Sequence, residues 1–223
     1  MVSFPLLSIG IRSKYETVTS STTDTKEQII NVAERLFAER GFAGTTLRNV
    51  ISEAGVNLAA VHYHFGSKEE LFRAVVRRFA RPVVDRELNL LAELTVGTEL
   101  PSVEAILMAI FKPSLEILSQ NEDTRLVRAQ FMGRCRTEPE PIQSIANAEF
   151  AAATEVFLDM LQRVLPEQSR SQLSWKLDLA IAMLIRVLTE AGKPYGLLKS
   201  NSPEDIYATT QQLVRFLSPG MRS

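Results

Sequence analysis

The side chains with the clearest chemical use lie between positions 57 and 68: Asn57-Leu58-Ala59-Ala60, then His62, Tyr63 and His64, then Lys68. Amide, imidazole, phenol and ammonium groups all make hydrogen bonds, and the two alanines leave room for a close approach of backbone. Such a set suits recognition of a polar surface better than bond-making. His62 and His64 are two apart on a short helix and face different sides. Joint metal ligation is not expected, because a helical pair wants a spacing of three or four. The single cysteine, Cys135, excludes an intramolecular disulfide and fits a reducing, cytoplasmic setting. Its neighbours Arg134 and Arg136 would lower a thiol pKa, but a small residue in a helical core is the favoured reading. The sequence has no nucleophile elbow, glycine-rich phosphate loop, HExxH pair or Cys/His metal set. Enzyme activity, a metal and a cofactor are therefore not expected.

The elements that position these residues read as helices throughout, with no period-2 alternation. Asp24 or Thr25 opens a first helix on which Ile29, Ala33, Leu36 and Phe37 recur at helical spacing, and Gly41 stops it. Thr46 caps a short second helix that ends at Ala54-Gly55. Asn57 caps a third, running to about His64 before Gly66. Ser67 with Glu70 forms a capping box for a long fourth helix reaching toward Leu94. Pro82 is expected to kink or break that helix, and the domain boundary is placed there. Further helices are expected at Ser102–Ser119, Glu122–Arg136, Pro141–Leu165, Ser169–Gly192 and Pro203–Leu217. Two short helices joined by a tight glycine turn and packed on an amphipathic helix make a helix-turn-helix. The second must be slim at its N-terminus to enter the DNA major groove, and Asn57–Ala60 satisfies that.

Charge agrees without deciding. The 223 residues carry a net charge of −1, with 45% hydrophobic and 23% charged residues. Asp24 to Arg81 holds nine Lys/Arg against seven Asp/Glu, whereas Pro82 onward holds fourteen against eighteen. A mildly basic first third ahead of an acidic body is compatible with binding to DNA. No apolar run approaches the ~20 residues of a membrane span. The first 23 residues lack the basic start of a secretion signal. They read as a flexible leader in which Arg12 and Lys14 are available as a minor-groove arm.

Four segments carry a resemblance: Ala33–Phe42 (AERLFAERGF), Thr45–Arg48 (TTLR), Glu53–Val56 (EAGV) and Val61–Lys68 (VHYHFGSK). In this order and spacing they resemble the N-terminal domain of TetR-family repressors. The resemblance implies that Thr46 and Arg48 reach the DNA backbone or groove edge and that Tyr63 and Lys68 hold phosphates. It places Asn57, Ala59, Ala60 and His62 toward the bases. Alanines stand at 59 and 60 where Gly and Thr are frequent, and His62 where Tyr is frequent, so no base preference transfers. The run from Asn57 to Lys68 is also similar to members that respond to long-chain fatty acids or acyl-CoA.

The fold class expected is therefore all-α, with a leader (1–23), a three-helix DNA-binding domain (24–81) and a helical sensor and dimerisation domain (82–223). The resemblance implies a homodimer on a palindromic double-stranded operator, released by a small lipophilic inducer. The last two long helices would form the seam through Leu177, Ile181, Leu184, Leu188, Ile206, Leu213 and Leu217. Met108, Phe111, Phe131, Met132, Phe150 and Phe157 would line the pocket, and Arg128 or Arg134 would hold an anionic head group. A helical adaptor that uses the same module for protein contacts is the rival reading.

Overall fold

The computed structural model describes residues 16–97, 99–119, 122–135, 138–191, 193–200 and 202–223. The candidate arm residues Arg12 and Lys14 lie outside them. The described residues form helices and connecting turns, with no strand among them. The helices are α1 (Glu16–Gly44), α2 (Leu47–Ala54), α3 (Leu58–Phe65), α4 (Lys68–Leu94), α5 (Val103–Ser119), α6 (Glu122–Cys135), α7 (Ile142–Ala148), α8 (Ala151–Val164), α9 (Arg170–Thr189) and α10 (Pro203–Arg222).

α1 begins eight residues earlier than Asp24, at Glu16, because no proline or glycine intervenes to break it. Its regular path ends at Gly41, whose φ of 73° is open to glycine without strain. A side chain there would also meet the Glu138 carboxylate, 2.8 Å from where a Cβ would sit. Buried Thr45 secures the turn by donating its hydroxyl to the Leu36 and Gly41 carbonyls, at 3.0 and 2.9 Å. Ile29, Ala33, Leu36 and Phe37 are buried as their spacing requires.

The local caps form as the residue types dictate. Thr46 accepts from the Asn49 amide and Asn57 from the Ala60 amide. Ser67 accepts from the Glu70 amide, but the expected reciprocal half of that box does not form. The Glu70 carboxylate instead pairs with Arg73 one turn on. α4 runs unbroken through Pro82, which is exposed, so the crowded turn and the carbonyl left without a donor face solvent. The helix expected over Pro141–Leu165 is two helices, parted at Glu149-Phe150. There Glu149 takes a two-pronged bond from Arg77 of α4, both contacts 3.0 Å, which ties the joint to a neighbouring helix.

α6 packs along α1 and also against α9; α5 packs between α4 and α10. One continuous apolar core runs through the whole molecule. Phe37 and Phe42 meet Phe72 edge-on at 5.2 and 5.5 Å, and Phe72 meets Phe131 of α6 at 5.6 Å. This aromatic chain links the helix-turn-helix to the body.

Candidate nucleic-acid interface and the cavity behind it

α3 presents one face inward through Val61 and Phe65 and the other to solvent. Asn57, Leu58, Ala59, His62 and Tyr63 are exposed and Ala60 half-buried, so the expected base-facing positions share the open side of one short helix. The His62 ring nitrogen Nδ1 lies 2.8 Å from the Gly66 carbonyl. A carbonyl oxygen only accepts, so Nδ1 carries a proton, and in the neutral ring Nε2 is the acceptor. Tyr63 is 81% exposed, which leaves its hydroxyl free to reach a phosphate.

Thr46 and Arg48 stand exposed at the start of α2. Arg48 has no ion-pair partner among the described residues, whereas Arg35 and Arg40 are both engaged by Glu53. Lys68 sits half-buried at the start of α4 with its ammonium 4.1 Å from the Phe42 ring centroid. Partial burial lowers its pKa. The aromatic contact orients the cation at a helix N-terminus, beside the orphan amides that also favour an anion. The eight residues assigned to DNA therefore come together on α2, α3 and the first turn of α4.

The body holds a cavity of about 330 Å³, walled by α4, α5, α6, α7, α8 and α9. Of the residues expected there, Met132, Phe150 and Phe157 do line it. Phe111 and Phe131 are instead fully packed core, and Met108 packs half-buried against that core. Arg128 and Arg134 do not line the cavity and are engaged by α1 instead. Arg128 donates to Glu34 of α1 at 3.2 Å; Arg134 donates to the Ala38 and Glu39 carbonyls at 2.6 and 2.9 Å. A guanidinium on the last carbonyls of a helix satisfies groups the helix cannot satisfy itself. Glu138 completes this clamp by accepting from the Phe42 amide at 2.7 Å. Neither arginine is left for a ligand in the cavity.

The stripe expected at the dimer seam is also relocated. Leu177, Ile181, Leu184 and Leu188 line the cavity, and Ile206 and Leu213 lie in the core of the protomer. Leu217 is half-buried against the same core. α9 is apolar on more than one face, and its own protomer uses the wider one. What remains exposed is Trp175 and Leu179 on α9, with Tyr207 and Phe216 on α10.

Two wall residues were not anticipated. Cys135 is buried, and desolvation pushes its thiol well above the ordinary range despite the adjacent arginines, so it is no nucleophile. Glu87 is 8% exposed, and burial raises its carboxyl pKa to about 8. Among the described residues it has no hydrogen-bond or ion-pair partner.

A helix-turn-helix reader on a helical body with a mostly apolar cavity defines a DNA-binding transcriptional regulator, and this class is not enzymatic. The chain belongs to the TetR family: residues 29–75 match "Bacterial regulatory proteins, tetR family" and residues 108–220 match "Tetracyclin repressor-like, C-terminal domain". It is similar to the HTH-type transcriptional repressor KstR2 of Rhodococcus jostii, 29% identical over 115 residues, 47% of this chain and 56% of that protein. The match thus spans about half the length of that relative. The fold resembles FadR of Bacillus subtilis in complex with stearoyl-CoA (TM-score 0.59, 14% identity, 87% and 98% of the two chains). It also resembles a transcriptional regulator of Saccharomonospora viridis in complex with choline (TM-score 0.56, 21% identity, 87% and 96%). No helix among the described residues is long and apolar enough to cross a membrane.

Proposed function

We propose that this protein is a DNA-binding repressor that acts as a two-fold dimer and leaves its operator when a small lipophilic ligand fills the cavity. The observation that carries this reading is the assembly on one open face of Asn57, Ala59, Ala60, His62 and Tyr63, flanked by Arg48 and Lys68. The slim end of α3 enters the major groove, and the flanking groups take phosphates. With Nε2 as an acceptor, His62 favours a base that offers an exocyclic amine, adenine or cytosine.

The seam between protomers is assigned to the exposed apolar residues of α9 and α10, with Trp175 and Leu179 at its centre.

Control runs through α6. It lines the cavity through Met132 and Cys135, reaches α1 through Arg128 and Arg134, and meets Phe72 of α4 through Phe131. A ligand that displaces α6 therefore moves the end of α1, and with it the turn into α2 and α3. DNA and ligand must weaken each other equally, since coupling is reciprocal. The two solved relatives hold ligands of opposite chemistry, so the fold alone does not choose one.

Binding-site selection from a random DNA pool tests the reading. A palindrome with half-sites one helical turn apart, about 34–36 Å, is expected. An adaptor that used the module for protein contacts would enrich no sequence.

A further inference from the structure

The cavity wall carries one unbalanced feature. Glu87 projects from the middle of α4 into a cavity lined mainly by apolar side chains, Phe79, Phe150 and Phe157 among them, and no described group answers its carboxyl. A buried polar group without a partner is costly, and native structures rarely keep one that nothing uses. The other titratable groups of the wall are Cys135 on α6, Glu155 on α8 and Asp178 on α9. α5 contributes Ser114 and α7 contributes Asn147, neither of them ionisable; no lysine, arginine or histidine lines the cavity among the described residues. Glu155 is already held by Arg170 outside the chamber. The ionisable part of the wall is thus acidic, and its buried, unpaired member is Glu87.

We propose that the ligand of this cavity is a lipophilic amine or quaternary ammonium compound whose cationic head lies against Glu87 and whose apolar remainder packs among the phenylalanines. This rests on the cavity being the effector site. A carboxylate facing aromatic rings is the surrounding that desolvated ammonium ions prefer, combining charge pairing with attraction to the ring faces. The anionic lipid suggested by the sequence would meet acidic groups and no cation. Because Glu87 is held mostly protonated near neutral pH by its burial, pairing with a permanent cation expels its proton to solvent.

The test uses the full-length protein and three probes with the same chain and different heads: decyltrimethylammonium, decanoate and decanol. Titration calorimetry at pH 7, repeated in buffers of different ionisation enthalpy, reads affinity and proton release together. The ammonium probe is expected to bind at least about tenfold tighter than decanoate and to release close to one proton per site. Glu87→Gln should remove both the preference and the release, while decanol binds the variant as it binds the parent. Equal binding of ammonium and decanoate, or an ammonium affinity untouched in Glu87→Gln, would overturn the head-group assignment and leave the cavity reading intact. If Phe157→Trp, which fills the chamber, left all three affinities unchanged, or if no probe bound, both readings would fall.

Discussion

Replacing Glu87 by Gln should stabilise this protein in a way that depends on pH. The carboxyl moves from an ordinary value of 4.5 when unfolded to about 8 when buried in the native state. A raised native pKa means that the native state holds its proton more tightly. The contribution is therefore fully favourable below pH 4.5 and is lost as pH rises toward 8, where the unfolded chain ionises freely and the native chain does not. Linkage puts the loss at about 1 kcal/mol by pH 5 and about 4–5 kcal/mol by pH 8.5. Gln has the same shape and no charge, so Glu87→Gln escapes the loss. Urea unfolding of both proteins across this range, at constant ionic strength, should show two curves that meet near pH 4.5 and separate by about 4 kcal/mol at pH 8.5. Parallel curves would mean that Glu87 is solvated or paired, and the argument from its isolation would fail. A saturating amine ligand should narrow the gap, because it supplies the charge that burial withholds.

Four other perturbations address the reader, the seam and the lever. Lys68→Ala should weaken binding to every DNA sequence alike and flatten the salt dependence by about 0.9 for each lysine lost, read by anisotropy across a salt series. His62→Ala should relax the selected site at one amine-bearing base pair, a loss of roughly 1–3 kcal/mol in competition assays. Leu179→Glu should give a folded monomer by light scattering, whereas Leu184→Glu should unfold the protein, since it would bury an unpaired carboxylate inside the protomer. Arg134→Ala frees the Ala38 and Glu39 carbonyls and should lower stability by roughly 1–3 kcal/mol. It should also weaken the effect of ligand on DNA binding more than it weakens DNA binding itself, by comparison of titrations with and without ligand.

What was legible in the sequence was the chemistry that acts over a few residues. Thr46, Asn57 and Ser67 cap helices because their side-chain oxygens reach an amide three positions on, and no distant partner can change that. The same local rule placed the residues expected to face bases on one short helix. Features decided by distant partners were not legible. The joint at Glu149-Phe150 depends on Arg77, 72 positions away, and Arg128 and Arg134 find their partners 94–96 positions away on α1. In sequence they looked like cations available to a ligand. α9 is apolar on more than one side, and periodicity alone does not say which stripe faces inward; the protomer took the one assigned to the dimer. Glu87 follows Asp85-Arg86 and reads as a solvated charge on a surface helix. Only packing reveals that it is enclosed.

The central claim, that the open face of α3 with Arg48 and Lys68 binds DNA, is most directly tested by fluorescence anisotropy with random-sequence duplex DNA over a series of salt concentrations. Two cations from each protomer give four phosphate neutralisations per dimer, so log K should fall against log salt with a slope of roughly −4. The double variant Arg48→Ala with Lys68→Ala, folded by circular dichroism, should lose nearly all of that slope. A folded dimer that showed no salt-dependent affinity for DNA, or a double variant whose slope matched the parent, would contradict the account.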